Sequence, residues 1–87
     1  MKKGSIVRVK QVAKHWPMDK VTAEGFHWDH RYVGPDESFI VLTDPLRVSH
    51  SYVGVFVEGR NGVEMICACV VNKMAFVQYM ETQFEEV

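Results

Sequence analysis

The strongest constraint on the fold is a hairpin signal in the second half of the chain. Two apolar segments, HSYVGVFVEG and GVEMICACVV, flank Arg60-Asn61-Gly62. Asn-Gly between apolar segments is typical of a tight β-hairpin, because both residues tolerate a positive φ angle. The sequence therefore predicts two long antiparallel strands joined at residues 60–62.

The second arm of this hairpin is apolar on both of its faces. Side chains alternate along a strand, so Cys67 and Cys69 share one face. Ile66 and Ala68 share the other face, and one of the two faces must be covered by a helix, a curled sheet or a second subunit. A homodimer formed through residues 66–70 or through the C-terminal segment is one hypothesis for this cover.

Two more strands are predicted in the first half of the chain. In GSIVRVKQV, Val7 and Val9 alternate with Arg8 and Lys10, which is typical of a half-buried strand with a basic outer face. The segment ESFIVLTDP predicts a short central strand, apolar on both sides. This strand ends at its Asp-Pro pair, because proline cannot donate a hydrogen bond to a sheet.

Between these strands, residues 13–36 have no clear periodicity. Pro17, Gly25, Gly34 and Pro35 interrupt the segment, and a loop this long is uncommon in a small domain unless it has a function. The interpretation as a loop leaves open a short strand at GFHWDHRYV.

The C-terminal segment, residues 72–87, fits a helix or a fifth strand. Asn72 is a good helix cap, but Glu85 and Glu86 would lie at the unfavourable end of the helix dipole. The sequence AFVQYM also fits a strand. Helical spacing relates five apolar residues: Phe76, Val77, Met80, Phe84 and Val87.

The first strand and the region after it resemble the opening of an SH3-like small β-barrel. The resemblance rests on Gly4, Val7 and Val9 in KKGSIVRVK, followed by a long loop and a three-stranded meander. It implies a barrel but no function, because this fold includes nucleic-acid binders, ribosome-associated modules, peptide binders and subunits of redox complexes. The ALYDY signature of the proline-rich-peptide binders is absent from the sequence.

Length and composition predict one small domain. A chain of 87 residues, with 47% hydrophobic and 24% charged residues, closes a single core. We predict one domain over residues 1–87 that is mainly β: an SH3-like small barrel or curled antiparallel sheet of four or five strands, with a C-terminal helix as an option. No apolar run approaches the roughly 20 residues that span a bilayer, and no secretion signal is visible.

The two cysteines and the charge pattern bear on location and partners. Cys67 and Cys69 are too close along one strand for an ordinary disulfide, so we interpret them as buried thiols in a reducing compartment, the cytoplasm. The net charge of −1 argues against a general polyanion binder. Basic residues dominate the first 14 positions and acidic residues the C-terminal part, which either pair within the fold or favour head-to-tail assembly.

Metal binding and catalysis are both disfavoured. His27 and His30 would point to opposite faces of a strand, and the cysteines suit a core better than a metal site. Cys67, His30 and Asp29 form a catalytic set only on paper, because no nucleophile elbow or phosphate loop is present. We therefore predict no enzyme activity, no catalytic residue, no metal and no cofactor.

Nucleic-acid binding is the alternative function. Basic residues interleaved with aromatic residues bind phosphates and stack on bases. Three acidic residues in the same segment offset the lysines and the arginine there, which weakens this hypothesis. The candidate basic residues are Arg8, Lys10, Lys14 and Lys20.

Protein binding is the function that the sequence favours most. Trp, Tyr and Arg are enriched at interface hot spots, and residues 14–35 are rich in them and in histidine. The alternative is that Phe26 and Trp28 fill one end of the barrel as core residues. The predicted contact residues are Trp16, His27, Trp28, Arg31 and Tyr32, with His30 at the rim.

The character of the whole chain suggests one kind of partner. Its small size and its lack of catalytic motifs are similar to those of short accessory proteins of large bacterial viruses, which often bind and inhibit a host protein. No particular residue carries this resemblance. It implies a protein partner. The lack of an apolar run that could span a bilayer separately predicts that the protein has no membrane partner.

Overall fold

The structure is a computed structural model that describes residues 2–10, 16–22, 25–31 and 33–87, with side chains described in 2–10 and 33–87. Eight strands and one helix follow one another along the described chain. They are β1 (Ile6–Val9), β2 (Trp16–Thr22), β3 (Gly25–Arg31), β4 (Ser38–Val41), β5 (Leu46–Arg47), β6 (Tyr52–Gly59), β7 (Gly62–Cys69), α1 (Lys73–Gln83) and β8 (Phe84–Glu86).

All eight strands belong to one antiparallel sheet. The order is β3-β2-β7-β6-β4-β1-β8, and the short β5 pairs with β6 beside β4. The sheet is not closed, because β3 and β8 are its two ends. The prediction of a mainly β fold with an antiparallel sheet and a C-terminal helix is confirmed. The described sheet has eight strands where the sequence predicted four or five, and the SH3-like relationship stays a prediction. No helix among the described residues is long and apolar enough to cross a membrane.

The predicted hairpin of β6 and β7 is confirmed over eight register pairs, from Tyr52↔Cys69 to Gly59↔Gly62. The backbone of the turn differs from the expectation that both Asn61 and Gly62 have a positive φ angle. Gly62 has a φ of +84°, while no described residue other than glycine has a positive φ. Asn61 therefore lies in the turn without a left-handed backbone, and the glycine after it supplies the reversal.

The core lies between the inner face of the sheet and α1. The alternation predicted for β1 is confirmed, because Val7 and Val9 are 2% and 1% exposed. Across the sheet, Val53, Val55 and Val57 of β6 are fully buried. The helix contributes two fully buried residues to this core, Phe76 and Met80.

The C-terminal segment forms both of the elements that the sequence left open. Asn72 caps α1, accepting a hydrogen bond of 2.8 Å from the Ala75 N–H to its Oδ1. The helix ends at Gln83, and residues 84–86 then continue as β8 along β1. Glu85 and Glu86 therefore lie beyond the last turn of the helix, in the strand that follows it.

Both faces of β7 are covered within the chain. Ile66 and Ala68 belong to the core beneath α1, so residues 66–70 do not form the exposed apolar face proposed for pairing two chains. Met65 and Cys67, on the opposite face, are also buried. The interpretation of both cysteines as buried thiols is wrong for Cys69, which is exposed at the end of the strand.

The segment predicted as a loop contains a second hairpin. β2 and β3 pair through seven register positions, from Trp16↔Arg31 to Thr22↔Gly25. The strand that the sequence left open at GFHWDHRYV is thus β3, and β2 begins at Trp16, just before Pro17. The proline is tolerated because β2 pairs with β7 only at Met18–Lys20.

The predicted central strand β4 lies between β6 and β1, as expected. It is buried on one face only, since Phe39 is 1% exposed and Ile40 is 45% exposed. The chain then bends at Thr43, whose Oγ1 accepts a hydrogen bond from the Phe56 N–H. After this bend it returns to the edge of β6 as β5.

Candidate protein interface

The β2–β3 hairpin is joined to the rest of the sheet along one side only. Three register pairs connect β2 to β7: Met18↔Ile66, Asp19↔Met65 and Lys20↔Glu64. On its other side β2 carries β3, which is the last strand of the sheet. Residues 25–31 therefore form an end of the described sheet.

Most of the predicted contact residues occupy this hairpin. Tyr32 lies outside the described residues, and the side chains of the others are also outside the described part of the chain. The register pairs Trp16 with Arg31, Pro17 with His30, Asp19 with Trp28 and Lys20 with His27.

The register brings two of the predicted hot-spot residues side by side. Trp16 and Arg31 are directly opposite each other where β2 begins and β3 ends. Trp28 is three residues before Arg31 on the same strand, so the alternation of a strand places it on the opposite face of the hairpin. Trp16 and Arg31 can act as one contact surface, and His27, four residues before Arg31, is on the same face as this pair.

The described side chains contain no cluster suited to metal binding. No three histidine, cysteine or acidic side chains among residues 2–10 and 33–87 are placed to hold one ion. Cys67 is buried and Cys69 is exposed, and neither forms a disulfide. His27 and His30, the histidines considered for metal binding, lie on β3 and their side chains are outside the described part.

The basic face of β1 is partly neutralised within the fold. Arg8 pairs with Glu85 of β8, with 3.0 Å between Nε and Oε1. The two side chains are 49% and 42% exposed, so the pair is solvated. The basic N-terminal part and the acidic C-terminal part of the sequence therefore do form an ion pair within the fold, between Arg8 and Glu85.

Acidic side chains also surround the next basic residue. A groove of about 290 Å³ between the end of α1 and strands β1 and β8 is lined by Lys10 together with Glu81, Glu85 and Glu86. Glu85 is already paired with Arg8, so two further carboxylates remain beside one ammonium, and the local potential is still negative, which disfavours a phosphate backbone.

The remaining candidate basic residues, Lys14 and Lys20, lie where the structure describes no side chains. Lys14 is outside the described residues. Lys20 is opposite Glu64, whose side chain is only 4% exposed. Opposite charges at facing strand positions stabilise one another, so this position is suited to pairing within the sheet.

Sequence reasoning missed two buried carboxylates and an apolar surface. Glu37 and Glu64 are each 4% exposed, and Arg60 donates to Glu37. On the outer face of β1 and β4, Ile6 and Ile40 are register partners and each is 45% exposed. The alternating pattern of these strands was the signal for the exposed isoleucines, since Ile40 lies between the buried Phe39 and Val41 and Ile6 comes directly before the buried Val7.

The comparisons with known proteins assign no role to these surfaces. A scan against protein-family models found no match. Searches of curated proteins and of solved structures found no match either.

Proposed function

We propose that this protein is a non-enzymatic protein-binding module whose contact surface is the β2–β3 hairpin. The observation that carries the proposal is the position of β3 at the end of the sheet, paired only with β2 among the described strands. An end strand has one edge without a neighbouring strand of the described sheet, where another molecule can approach it. The segment with the highest content of interface-type residues is therefore also at an end of the sheet.

The composition of the hairpin supports a protein partner. Trp and Arg dominate interface hot spots because they combine a large contact area with hydrogen-bond donors. Trp16 and Arg31 supply these types on one face of the hairpin together with His27, Trp28 supplies a second tryptophan on the other face, and Tyr32 follows Arg31 in the sequence. His30 lies at the rim, where a polar side chain helps to exclude water from the centre.

The resemblance to short viral accessory proteins suggests the class of protein that is bound. Short accessory proteins of bacterial viruses, which this sequence resembles, often bind and inhibit a host protein. We extend the proposal accordingly to a cytoplasmic host protein as the partner.

Nucleic acid is the weaker of the two partner classes. Arg8 is engaged with Glu85, and Lys10 borders three carboxylates. A phosphate backbone needs a continuous basic surface, because its affinity derives mainly from the displacement of counterions by lysine and arginine.

A pull-down from bacterial lysate tests the class of partner. Tagged protein is the bait, the lysate is divided into nuclease-treated and untreated halves, and bound proteins are identified by mass spectrometry. The proposal predicts one stoichiometric protein that is recovered equally from both halves. Recovery of mixed nucleic-acid-binding proteins that disappear after nuclease treatment would replace the proposal with the nucleic-acid alternative.

A salt titration of the captured material provides an independent check. Phosphate contacts weaken steeply as salt rises, by a factor of about 10³ to 10⁵ between 50 and 200 mM for 6 to 10 contacts. The proposal predicts a much smaller loss, because aromatic contacts do not depend on counterion release.

A further inference from the structure

The two ends of the sheet differ in how well they are protected against pairing. β8 has three residues and carries Glu85 and Glu86, and short, charged strands resist edge-to-edge association. β3 has seven residues, Gly25–Arg31, and contains no lysine or proline. The long β3 edge therefore lacks two of the usual devices against association, lysine and proline, although it carries Asp29 and Arg31, which have opposite charges.

The ladder defines which backbone groups β3 presents outward. Pro17 has no N–H to donate, so Pro17↔His30 is a non-hydrogen-bonded pair, and hydrogen-bonded pairs alternate with such pairs along an antiparallel ladder. Gly25, His27, Asp29 and Arg31 thus bond to β2. The N–H and C=O groups of Phe26, Trp28 and His30 point away from β2, at every second position of the edge.

We propose that two copies of this chain pair antiparallel along β3, centred on Trp28, and so form one continuous sheet. In this register Trp28 is opposite Trp28 of the second copy, and Phe26 is opposite His30. The outward N–H and C=O groups of these three residues are then the ones that meet. The backbone pattern of β3 is therefore complementary to itself.

The charges of β3 fit the same register. His27 lies opposite Asp29 of the second copy, and the two-fold symmetry creates this pairing twice. Both pairs fall at non-hydrogen-bonded positions, where facing residues are closest, with Cα atoms about 4.5 Å apart. Oppositely charged or hydrogen-bonding residues at facing positions stabilise a strand pair.

Registers with the two-fold axis at another residue pair fewer residues of β3. Pairing centred on His30 keeps only residues 29–31 within β3, and pairing centred on Phe26 keeps only residues 25–27. The register centred on Trp28 pairs all seven residues. It occupies the β3 edge, so in the dimer the protein partner of the proposed function contacts a face of the hairpin.

Sedimentation velocity of the purified protein over a wide concentration range tests the proposal, and this measurement requires no binding partner. We expect a concentration-dependent shift from 10.0 kDa to twice this mass. Only monomer at the highest concentration would overturn the proposal, while the proposed function would remain untouched. A pull-down that captures no partner would count against the proposed function but would leave the dimer proposal unaffected.

A charge exchange tests the register. His27→Asp places two acidic residues opposite each other, and Asp29→His places two histidines opposite each other, so each single variant should raise the dimer dissociation constant about tenfold. The double variant restores the pairs and should recover the wild-type constant. Dimers that are unaffected by the single changes, or not recovered in the double variant, would overturn this register. Circular dichroism confirms that each variant is folded.

Crosslinking provides a second measurement of the same register. Trp28→Cys in a Cys69→Ser background should form a dimer disulfide with diamide, which takes up the two hydrogens as the S–S bond forms. Facing residues of a hydrogen-bonded pair have Cα atoms about 5.5 Å apart, within the range of a disulfide. Phe26→Cys in the same background is the control, because its two copies would be roughly 13 Å apart. Equal crosslinking of both variants would contradict the register centred on Trp28.

Discussion

Arg60, at the tip of the β6–β7 hairpin, donates a hydrogen bond of 3.0 Å from Nη2 to Oε1 of Glu37. The Glu37 side chain is 4% exposed, and the Arg60 side chain is 63% exposed. The pair ties the hairpin tip to the segment that leads into β4. A nearly buried carboxylate is thus bound to a guanidinium that remains largely in water.

Removing the guanidinium should destabilise the fold. Arg60→Ala takes a charged donor from a buried carboxylate, and we expect the free energy of unfolding to fall by about 1 kcal/mol, with the exposure of Arg60 limiting the effect. Asp36→Asn is the control. Asp36 is 3.7 Å from Arg60 and 75% exposed, so its loss should change stability by less than about 0.5 kcal/mol. Equal effects of the two changes in urea unfolding would contradict the role of the Arg60–Glu37 pair.

A methyl group on Gly54 should be costly. A Cβ at this position would lie 2.8 Å from the carbonyl oxygen of Ile66 and 3.0 Å from the Cys67 sulfur. Because the carbonyl belongs to the paired strand, relief requires β6 and β7 to shift, and we expect Gly54→Ala to lower the free energy of unfolding by about 1–3 kcal/mol.

Gly34→Ala is the matched control for this prediction. The nearest atom to its Cβ would be Oδ1 of Asp36, at 2.6 Å. This oxygen ends an exposed side chain that can rotate away, so the change should be small. Thermal unfolding in which Gly34→Ala is the more destabilising variant would contradict the close packing at Gly54.

The two thiols should react at different rates. Cys69 is exposed and Cys67 is fully buried, and thiol reagents require access to the sulfur. With an aromatic disulfide reagent, we expect one equivalent of thiol per chain in the native protein and a second only after unfolding in guanidinium. Rapid reaction of both thiols in the native state would show that the outer face of β7 is open.

Local patterns in the sequence predicted the regular elements of the sheet. Asn61-Gly62 and the alternation of Val7 and Val9 determine the β6–β7 hairpin and β1, because turn chemistry and a period of two act between close neighbours. Asn72 indicated the start of the helix for the same reason. The mainly β class followed from these local signals.

Other features depend on contacts between distant parts of the chain. The β2–β3 hairpin was predicted as a loop, because Pro17 and the mixed polar and aromatic residues hide its alternation. The strand β8 depends on its pairing with β1, 77 residues away at Arg8 and Glu85. The exposure of Cys69 depends on where β7 ends, which a periodic pattern does not define.

The candidate site was predicted only in part. The sequence located the interface-type residues within residues 14–35 but gave them no register. The pairing of Trp16 with Arg31 and the end position of β3 come from the sheet order. Sheet order is set by long-range pairing, so it was not available from residue types alone.

The central claim is that the hairpin contacts a protein partner, and quantitative capture by hairpin variants tests it most directly. The wild type, Trp28→Ala and Arg31→Ala are compared as baits in nuclease-treated lysate. Met74→Ala is the control, because Met74 is a large apolar residue on α1 that is 71% exposed.

We predict that Trp28→Ala and Arg31→Ala each reduce the captured partner at least tenfold, which corresponds to the roughly 1.4 kcal/mol or more expected of a hot spot. Met74→Ala should leave capture unchanged, and all circular dichroism spectra should match the wild type. Undiminished capture by both hairpin variants would contradict the claim. Unfolding of either hairpin variant would also contradict it, because the altered residue would then belong to the core.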